Sequence, residues 1–407
     1  MHCGLLGGKL GHSYSPAIHS YLGDYSYSLF EKTPDELEDF LKNGDFIGLN
    51  VTIPYKKAVI PYCTELSPCA QKLGAVNTIV KRADGTLIGH NTDYFGFQSM
   101  LNRSGLSVAG KKVLVLGSGG ASATAVAVLT EAGANVVVIS RNGENSYDHL
   151  HKHSDAAVIV NATPVGMYPH NGDAPLSITG FPALEGVLDL IYNPARTALL
   201  LEAEDRGLVT ENGLWMLVSQ AAESAGWFMG NEISMDVVPT IHKTLKDQME
   251  NIVLIGMPGC GKSTIGKLLA EKLNRPFIDA DPEIEKAAGM PIPRIFAEQG
   301  EAGFRAIESR VLAKLGAMSG VVIATGGGCV TRPENYNSLH QNGTIYYLTR
   351  DIQVLPTDGR PLSMTNSIQE MFRVRKPLYE QFSDHEIDNN SSAEDAVNAI
   401  MEMRGAK

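Results

Sequence analysis

The chain has 407 residues, more than the ~250–300 at which one hydrophobic core stops growing, so it holds at least two domains. Its net charge of -11 argues against nucleic acid or an anionic membrane as a partner, and no apolar run reaches the ~18 residues that span a bilayer. Five scattered cysteines and a start without a basic, apolar leader predict a reducing, cytoplasmic setting.

Residues 1–105 are predicted to form a first layer of alternating strands and helices. A helix is expected over 34–41 with Thr33 as its N-cap. Three polar clusters interrupt this layer, and each taken singly is typical of an ordinary turn or cap. In the first cluster Ser13 and Ser15 alternate, which predicts an extended segment with both hydroxyls on one side.

The second and third polar clusters lie at residues 50–56 and 77–93. Thr52 lies in a predicted strand, Lys56 follows the end of that strand, and Asp93 closes the third cluster. The three clusters supply hydroxyls, amides, one cation and one carboxylate, but no set of metal ligands. That inventory suits a small, polyhydroxylated anion. Without the other motifs, a Lys56–Asp93 pair would be a surface salt bridge contributing under ~1 kcal/mol.

A dinucleotide-binding pattern follows. A buried-type strand over 111–116 leads into a glycine-rich turn, a helix over 123–131 and a second strand over 135–139. After the second strand, NAD enzymes carry an acidic residue for the ribose hydroxyl. This chain has Arg141 there, and a guanidinium pairs with the 2′-phosphate of NADP. The pattern therefore favours NADP, with a solvated surface arginine as the alternative.

Two later strands of the same region end in polar residues, which is where open α/β sheets bind ligands. One strand ends in Asn161 and Thr163, and the next ends in Tyr192. A helix that starts near residue 213 carries Gln220, while its apolar Met216 is predicted to pack in the core.

Residues 1 to about 245 resemble shikimate dehydrogenases over their whole length. The shared motifs are S-x-S-P, N-V-T-x-P-x-K, A-V-N-T, N-T-D-x-x-G, G-x-G-G-A and N-A-T-P-x-G-M. The resemblance implies that Lys56 and Asp93 form the catalytic pair. It also implies a substrate site made of Ser13, Ser15, Thr52, Asn77, Tyr192 and Gln220, and an NADP(H) site made of Gly117, Gly119, Gly120, Ala121, Arg141, Asn161 and Thr163.

The chemistry of the residues agrees with that implication. Hydride delivery to a ketone leaves an alkoxide, which needs a proton donor and a positive field. Lys56 can supply both, and Asp93 can orient the lysine and balance its charge.

A second domain is predicted to begin near Gln248, ahead of a phosphate-binding loop. Residues 256–264 have the spacing G-x-x-x-x-G-K-S-T between an apolar strand and a helix. Backbone N–H groups and the helix N-terminus attract phosphate, Lys262 reaches the outer phosphates and Ser263 can ligate Mg²⁺. The predicted ATP-binding residues are Gly256, Gly259, Gly261, Lys262, Ser263 and Thr264.

Acidic and basic residues follow the phosphate loop at regular spacings. A strand is predicted to end in Asp279 and Asp281, and a period of two would place both carboxylates on one face. One carboxylate can be a ligand of Mg²⁺, and the other can accept a hydrogen bond or a proton from a substrate hydroxyl. Arg305 and Glu308 are three apart, so one helix face carries both. Three consecutive glycines, at 326–328, follow a later predicted strand. Because they carry no side chains, a ligand can approach the backbone closely there.

Residues 251–407 are similar to shikimate kinases over nearly their whole length. The resemblance implies catalytic roles for Lys262, Asp281 and a lid residue, Arg360, and a Mg²⁺ shell that includes Ser263 and Asp279. It assigns shikimate binding to Asp281, Arg305, Gly327, Gly328 and Arg375. The segment 351–359 is shorter than in the family, so the resemblance assigns no adenine contact.

The sequence thus predicts an α/β protein with two domains. Residues 1–248 are expected to form a two-lobed dehydrogenase, and residues 249–407 a P-loop kinase with a central parallel sheet. Within the first domain, residues 1–100 and 225–245 form the substrate lobe, and residues 105–225 form the Rossmann NADP lobe.

The predicted function is bifunctional: NADPH reduces 3-dehydroshikimate to shikimate, and MgATP phosphorylates the 3-hydroxyl of shikimate. One alternative is a quinate/shikimate dehydrogenase half with NAD preference, and another is a kinase with a non-catalytic, ligand-binding dehydrogenase-like domain. A nucleotide or gluconate kinase is disfavoured by the paired Arg305 and Arg375. The expected partners are small-molecule substrates, without nucleic acid or membrane, and monomer and homodimer are equally open.

Overall fold

A computed structural model of the protein describes residues 1–11, 13–355 and 368–405, so the predicted lid residue Arg360 lies outside the described residues. Among the described residues, no helix is both long enough and apolar enough to cross a bilayer. The chain divides into two compact units. Unit 1 comprises Met1–Met167, Asp173–Tyr192 and Leu199–Leu245, and unit 2 comprises Tyr168–Gly172, Asn193–Ala198 and Lys246–Lys407.

The first sheet of unit 1 is mixed and has six strands. Its strands and the accompanying helices are β1 (His2–Gly7), β2 (Ser26–Glu31), β3 (Gly48–Val51), β4 (Glu65–Leu66), β5 (Thr78–Lys81), β6 (Leu87–His90), α1 (Ser15–His19), α2 (Pro34–Asn43), α3 (Pro68–Leu73) and α4 (Asp93–Ser104). The strand order is β2-β1-β3-β5-β6-β4, and β5 runs antiparallel to both of its neighbours.

Two local predictions for this part of the chain have opposite outcomes. The helix after Thr33 is confirmed as α2, and the Glu36 carboxylate accepts hydrogen bonds from the N–H and the hydroxyl of Thr33, both at 2.8 Å. The extended segment predicted over 13–15 is wrong, because Ser15 is the first residue of α1. Ser13 instead accepts the backbone N–H of Ser15 at 3.2 Å, an arrangement that favours a helix start over a strand.

The second sheet of unit 1 is parallel and has five strands. Its elements are β7 (Lys112–Leu116), β8 (Asn135–Ile139), β9 (Val158–Asn161), β10 (Gly186–Asp189), β11 (Val209–Asn212), α5 (Gly120–Glu131), α6 (Ala198–Asp205) and α7 (Leu214–Met229). The order β11-β10-β9-β7-β8 changes direction between β7 and β9, and ligands of such sheets bind at that point. After Lys112, successive β7 side chains enter two separate cores, and all four of these residues are apolar.

Unit 2 contains one parallel five-stranded sheet. Its elements are β12 (Asn251–Ile255), β13 (Phe277–Asp279), β14 (Val322–Ala324), β15 (Gly343–Thr349), β16 (His385–Asp388), α9 (Lys262–Leu273), α10 (Ala280–Ala288), α11 (Ile292–Gly316), α12 (Glu334–His340), α13 (Ile368–Phe382) and α14 (Ala393–Gly405), preceded by α8 (Val237–Met249), in which unit 1 ends. The order is β13-β14-β12-β15-β16, and the fully buried β12 lies at its centre.

Two details of unit 2 position its polar residues. The strand predicted to include both carboxylates is wrong, because β13 stops at Asp279 and Asp281 lies in the first turn of α10. Asp279 caps this helix and accepts the N–H of Asp281 at 3.2 Å. Gly300 interrupts α11 with a φ of 68°, a region that glycine enters readily. Arg305 lies in the part of α11 that follows this break.

A buried histidine of unit 1 couples folding to pH. His90 ends β6 and stacks on Trp227, with the ring centroids 3.8 Å apart. Burial disfavours the charged imidazolium and lowers the pKa of His90 to about 4. The folded chain therefore keeps this ring neutral at pH values where the unfolded chain protonates it.

Unit 1 is expected to unfold more easily as the pH falls from about 6.5 towards about 4. Because the folded pKa of His90 is lowered, its contribution to stability is fully present above the unfolded value of 6.5 and is lost below it. The slope contributed by one histidine is at most about 1.4 kcal/mol per pH unit. Urea unfolding followed by tryptophan fluorescence measures it, since Trp215 and Trp227 both lie in unit 1.

Two variants separate His90 from the other titrating groups. His90→Phe keeps an aromatic ring against Trp227 without a titrating nitrogen, so its stability should fall less steeply with pH. His151→Phe changes an exposed position of the same unit and should keep the wild-type slope. Equal slopes for wild type and His90→Phe would exclude the histidine as the cause.

Candidate active sites

Unit 1 encloses a cavity of about 310 Å³ between elements of its two sheets. The predicted catalytic pair and every residue predicted for the substrate site line this cavity: Ser13, Ser15, Thr52, Lys56, Asn77, Asp93, Tyr192 and Gln220. Ala121 of the predicted cofactor loop also reaches it. The cavity therefore lies beside the glycine-rich turn, where a dinucleotide and a small substrate can meet.

Lys56 and Asp93 form an ion pair in this cavity, with the lysine Nζ 2.6 Å from the Asp93 Oδ2. Their side chains are 31% and 17% exposed, whereas the surface pair Lys42–Glu38 is exposed by about 60% on each side. The backbone carbonyl of Lys56 accepts the N–H of Val76 at 2.8 Å, which fixes the lysine beyond the end of β3. This pair is thus held at a cavity wall rather than in open solvent.

Amide and phenol groups complete the polar wall. Asn77 accepts the N–H of Thr92 at 2.7 Å, and the Gln220 amide donates to the carbonyl of Leu217 at 2.9 Å. Burial raises the pKa of Tyr192, so its hydroxyl stays protonated and can donate a hydrogen bond. These groups can bind the hydroxyls of a small substrate.

The cavity is also lined by residues that the sequence did not assign to it, among them Asn50 and Met216. Asn50 begins the N-V-T-x-P-x-K motif, so the motif itself was a signal for its inclusion. Met216 was predicted only to pack, and the structure places it both against a core and at the cavity wall.

The glycine-rich turn leaves room for a pyrophosphate. Gly117 has a φ of 104°, and a Cβ on it would lie 3.0 Å from the Thr163 side chain. A Cβ on Gly119 or Gly120 would meet no atom within 4 Å, so open space lies over the N-terminal end of α5. The backbone and helix end there fit the diphosphate of a dinucleotide. Arg141 is exposed just after β8, where a 2′-phosphate would lie.

Asn161, predicted to bind the cofactor, is fully buried. Its Oδ1 accepts the N–H and the hydroxyl of Thr163 at 3.0 and 2.7 Å, and its amide donates to both carboxylate oxygens of Asp189. The side chain is thus engaged in shaping the loop after β9, which passes beside Gly117.

Unit 2 encloses a cavity of about 410 Å³ at the carboxyl ends of its strands. The predicted residues that line it are Gly259, Gly261, Lys262, Ser263, Thr264, Asp279, Asp281, Arg305, Gly327, Gly328 and Arg375. Gly256 lies behind this wall. Its carbonyl accepts the Lys262 Nζ at 2.8 Å, and the Met257 carbonyl accepts the same ammonium at 2.9 Å.

The phosphate loop and β13 bring oxygen ligands together. The Ser263 hydroxyl donates to the Asp279 carboxylate at 2.5 Å. Gly259 and Gly261 have φ values of 83° and 101°, which glycine adopts without strain. Across the described ranges, no cluster of three or more His, Cys, Asp or Glu residues could hold a metal by itself. One hydroxyl and one carboxylate suit Mg²⁺, which takes its other ligands from phosphates and water.

Two buried arginines also line the unit 2 cavity. Arg305 pairs with Glu308 at 2.6 Å, and both side chains are at most 5% exposed. A Cβ on Gly328 would lie 2.0 Å from the Arg305 guanidinium, so any larger residue there would displace the arginine. Arg375 donates to the Gly327 carbonyl at 3.1 Å, and the Tyr379 hydroxyl donates to the same oxygen.

Glu308 lines the cavity, although the sequence reasoning assigned it no role there. Burial raises the pKa of its carboxyl, and the Arg305 guanidinium opposes that rise. The spacing of three residues from Arg305 was the available signal, since it places both side chains on one helix face.

The two cavities define a class of protein: a Rossmann-type oxidoreductase unit combined with a P-loop phosphotransferase unit. Comparisons with known proteins agree. The family described as shikimate dehydrogenase substrate binding domain matches residues 5–79, and the family described as shikimate kinase matches residues 258–404. The chain belongs to the shikimate dehydrogenase family in its N-terminal part and carries a shikimate kinase domain behind it.

Individual relatives match the N-terminal part. The shikimate dehydrogenase (NADP(+)) of Clostridium perfringens is 36% identical in an alignment of 265 positions, which covers 60% of this chain and 97% of the relative. A chorismate mutase/shikimate 5-dehydrogenase fusion protein from Clostridium acetobutylicum is 38% identical, with a TM-score of 0.58 over 60% of this chain and 97% of that one.

A third relative is a shikimate 5-dehydrogenase from Thermus thermophilus whose structure contains NADP(H) and shikimate. It is 31% identical, with a TM-score of 0.55 over 60% of this chain and 99% of its own. Together the comparisons confirm the predicted resemblance, the α/β fold class and an enzyme with an oxidoreductase and a phosphotransferase part.

Proposed function

We propose that this chain is a cytoplasmic bifunctional enzyme of the shikimate pathway. Residues 1–248 reduce 3-dehydroshikimate to shikimate with NADPH, and residues 249–407 transfer the γ-phosphate of MgATP to the shikimate 3-hydroxyl. The observation that carries the proposal is the ion pair of Lys56 and Asp93, with the ammonium nitrogen 2.6 Å from the carboxylate oxygen. This partly buried pair lies in a cavity lined by hydroxyl and amide groups. A silent, ligand-binding unit would not need such a pair.

In the reductase reaction, NADPH held at the glycine-rich turn would supply the hydride. The Lys56 ammonium faces the oxygen that becomes negative, stabilises that charge and donates the proton that completes the hydroxyl. Asp93 holds the lysine Nζ at 2.6 Å and balances its charge. The hydroxyls of Ser13, Ser15 and Thr52 bind the substrate carboxylate and a substrate hydroxyl, while Asn77, Tyr192 and Gln220 orient the ring.

In the kinase reaction, bound MgATP supplies the phosphoryl group. Lys262 and the phosphate loop would hold the phosphates and offset their charge, and Ser263 and Asp279 would be the protein ligands of Mg²⁺. Asp281 receives the proton of the 3-hydroxyl as the oxygen attacks phosphorus. The guanidinium groups of Arg305 and Arg375 hold the shikimate carboxylate, and the backbone of Gly327 and Gly328 forms the wall beside it.

Lys56→Ala is expected to lower the reductase kcat by about 100-fold or more, because it removes the proton donor and the positive field. Lys262→Ala should lower the kinase kcat by at least about 100-fold through loss of charge stabilisation. Separate assays of NADPH oxidation and ADP release on each purified variant measure both effects. Each substitution should leave the other activity within about twofold of wild type.

The neighbouring exposed lysines provide matched controls. Lys57→Ala and Lys267→Ala remove a lysine from the same segments, outside the two cavities, and should retain both activities. A wild-type chain that lacks either activity would end the bifunctional proposal. Normal reductase activity in Lys56→Ala would exclude the assigned proton donor.

Arg141 is expected to set the preference for NADPH. Because a charged hydrogen bond contributes about 1.5–3 kcal/mol, Arg141→Ala should lower kcat/KM for NADPH by about 10- to 100-fold and leave NADH nearly unchanged. Steady-state kinetics with both cofactors give the ratio. Arg82→Ala, which removes an exposed arginine paired with Glu65, serves as the control.

The same assay addresses the alternative of a quinate/shikimate dehydrogenase with NAD preference. Oxidation of quinate and shikimate is measured with NADP and with NAD. A wild-type kcat/KM that is higher for NAD, or higher for quinate than for shikimate, would favour that alternative over our proposal.

A further inference from the structure

A network of buried polar side chains lies behind the Lys56–Asp93 cavity. Its members are Asn50, Asn77, Thr78, Thr92, Gln220 and Ser224. Asn50, Asn77 and Gln220 reach the cavity wall, whereas Ser224 is fully buried and does not. Burying so many polar groups is costly unless each finds a partner, so the network has few acceptable arrangements.

The hydroxyl of Ser224 is the junction of this network. It lies 2.8 Å from the side-chain nitrogen of Asn50 and 2.9 Å from the hydroxyl of each threonine, Thr78 and Thr92. It also lies 2.8 Å from the backbone carbonyl oxygen of Gln220. These partners come from β3, β5, the residue before α4 and α7 itself. One side chain therefore links β3, β5, the start of α4 and α7 behind the cavity.

The donor and acceptor groups of the partners determine the direction of these hydrogen bonds. A backbone carbonyl only accepts, so Ser224 donates its single proton to the Gln220 carbonyl. An amide nitrogen only donates, so Asn50 uses one lone pair of the serine oxygen. The second lone pair can accept from one threonine hydroxyl.

Thr92 is the threonine that satisfies the rest of the network. When its proton goes to Ser224, its oxygen accepts the Asn77 amide at 3.1 Å, while Thr78 donates to the Asn77 Oδ1 at 3.1 Å. Gln220 Oε1, 3.4 Å from the Thr92 oxygen, then keeps its lone pairs for a substrate hydroxyl. Without the serine hydroxyl, the Thr92 proton would turn to that oxygen or to Asn77.

We propose that Ser224 is a positioning residue of the reductase site, which acts through Thr92 to present Asn77 and Gln220 to the substrate. The inference rests on the proposed function of unit 1 and goes beyond it, since Ser224 touches neither substrate nor cofactor. Thr92 directly precedes Asp93, so the same junction also supports the start of α4 from which the carboxylate projects.

Ser224→Ala tests this role. The KM for 3-dehydroshikimate is expected to rise about tenfold, which corresponds to about 1.4 kcal/mol, because two substrate-facing amides lose their arrangement. The KM for NADPH should stay unchanged, since the glycine-rich turn is not part of the network. A residue that only stabilised the fold would lower the active fraction, and hence kcat, with both KM values unchanged.

Ser219→Ala is the matched control. Ser219 lies on the same helix and is equally buried, but its hydroxyl donates to Ser99 at 3.2 Å, outside the network. Its kinetic constants should stay within about twofold of wild type. An equal rise in KM for Ser219→Ala and Ser224→Ala, or a loss of kcat alone in Ser224→Ala, would overturn the proposal.

Two further measurements keep the test decisive. If the alanine variant does not fold, Ser224→Cys keeps a side chain of similar size with a weak S–H donor, and its KM should fall between those of alanine and wild type. The dissociation constant of 3-dehydroshikimate, followed by tryptophan fluorescence, needs no turnover. If the wild type binds 3-dehydroshikimate more tightly than Ser224→Ala but does not reduce it, only the proposed activity is refuted. Unchanged binding in Ser224→Ala would refute the positioning role.

Discussion

Both cavities depend on one constraint of parallel sheets: the strands end together at one edge, and the chain must turn there. Backbone N–H groups and short polar side chains at these turns are not used by the ladder of the sheet, so they remain available to ligands. In unit 1 the glycine turn after β7 meets the loop after β9, whose Thr163 lies against Gly117. In unit 2 the phosphate loop after β12 meets Asp279 at the end of β13 and the glycines after β14.

Three cationic groups of the two cavities have partners within the protein, because a buried charge without a partner is costly. Lys56 is held by Asp93, Arg305 by Glu308, and the Lys262 ammonium by two carbonyls of its own loop. Such pairing also fixes geometry. An arginine held by Glu308 on a helix presents its remaining N–H groups in one direction, so an anionic substrate meets an oriented donor rather than a mobile one.

Local patterns predicted most strands and the glycine turns, because each of these signals lies within a few neighbouring residues, and the resemblance to the two families implied most cavity residues. The errors arose where a side chain redirected the backbone: Ser13 and Asp279 accept N–H groups two residues onward and begin helices at Ser15 and Ala280, where a period of two suggested strands. The role of Ser224 was beyond sequence reasoning, since its partner Asn50 is 174 residues away. Nothing local distinguishes this serine from Ser219 on the same helix.

In the proposed reactions, the 3-oxygen of the substrate faces a cationic group in unit 1 and an anionic group in unit 2. Each reaction step explains the sign of the charge. Reduction makes the oxygen more negative as hydride reaches the carbon, so an ammonium such as that of Lys56 stabilises the transition state. Phosphorylation removes a proton from the hydroxyl as the oxygen attacks phosphorus, so a carboxylate such as Asp281 assists it. Reduction needs a hydride donor placed against the carbon, whereas phosphorylation needs a phosphate placed in line with the oxygen, so one fixed cavity would not serve both reactions. Two successive steps on the same atom therefore call for two separate sites, and this chain supplies one in each unit.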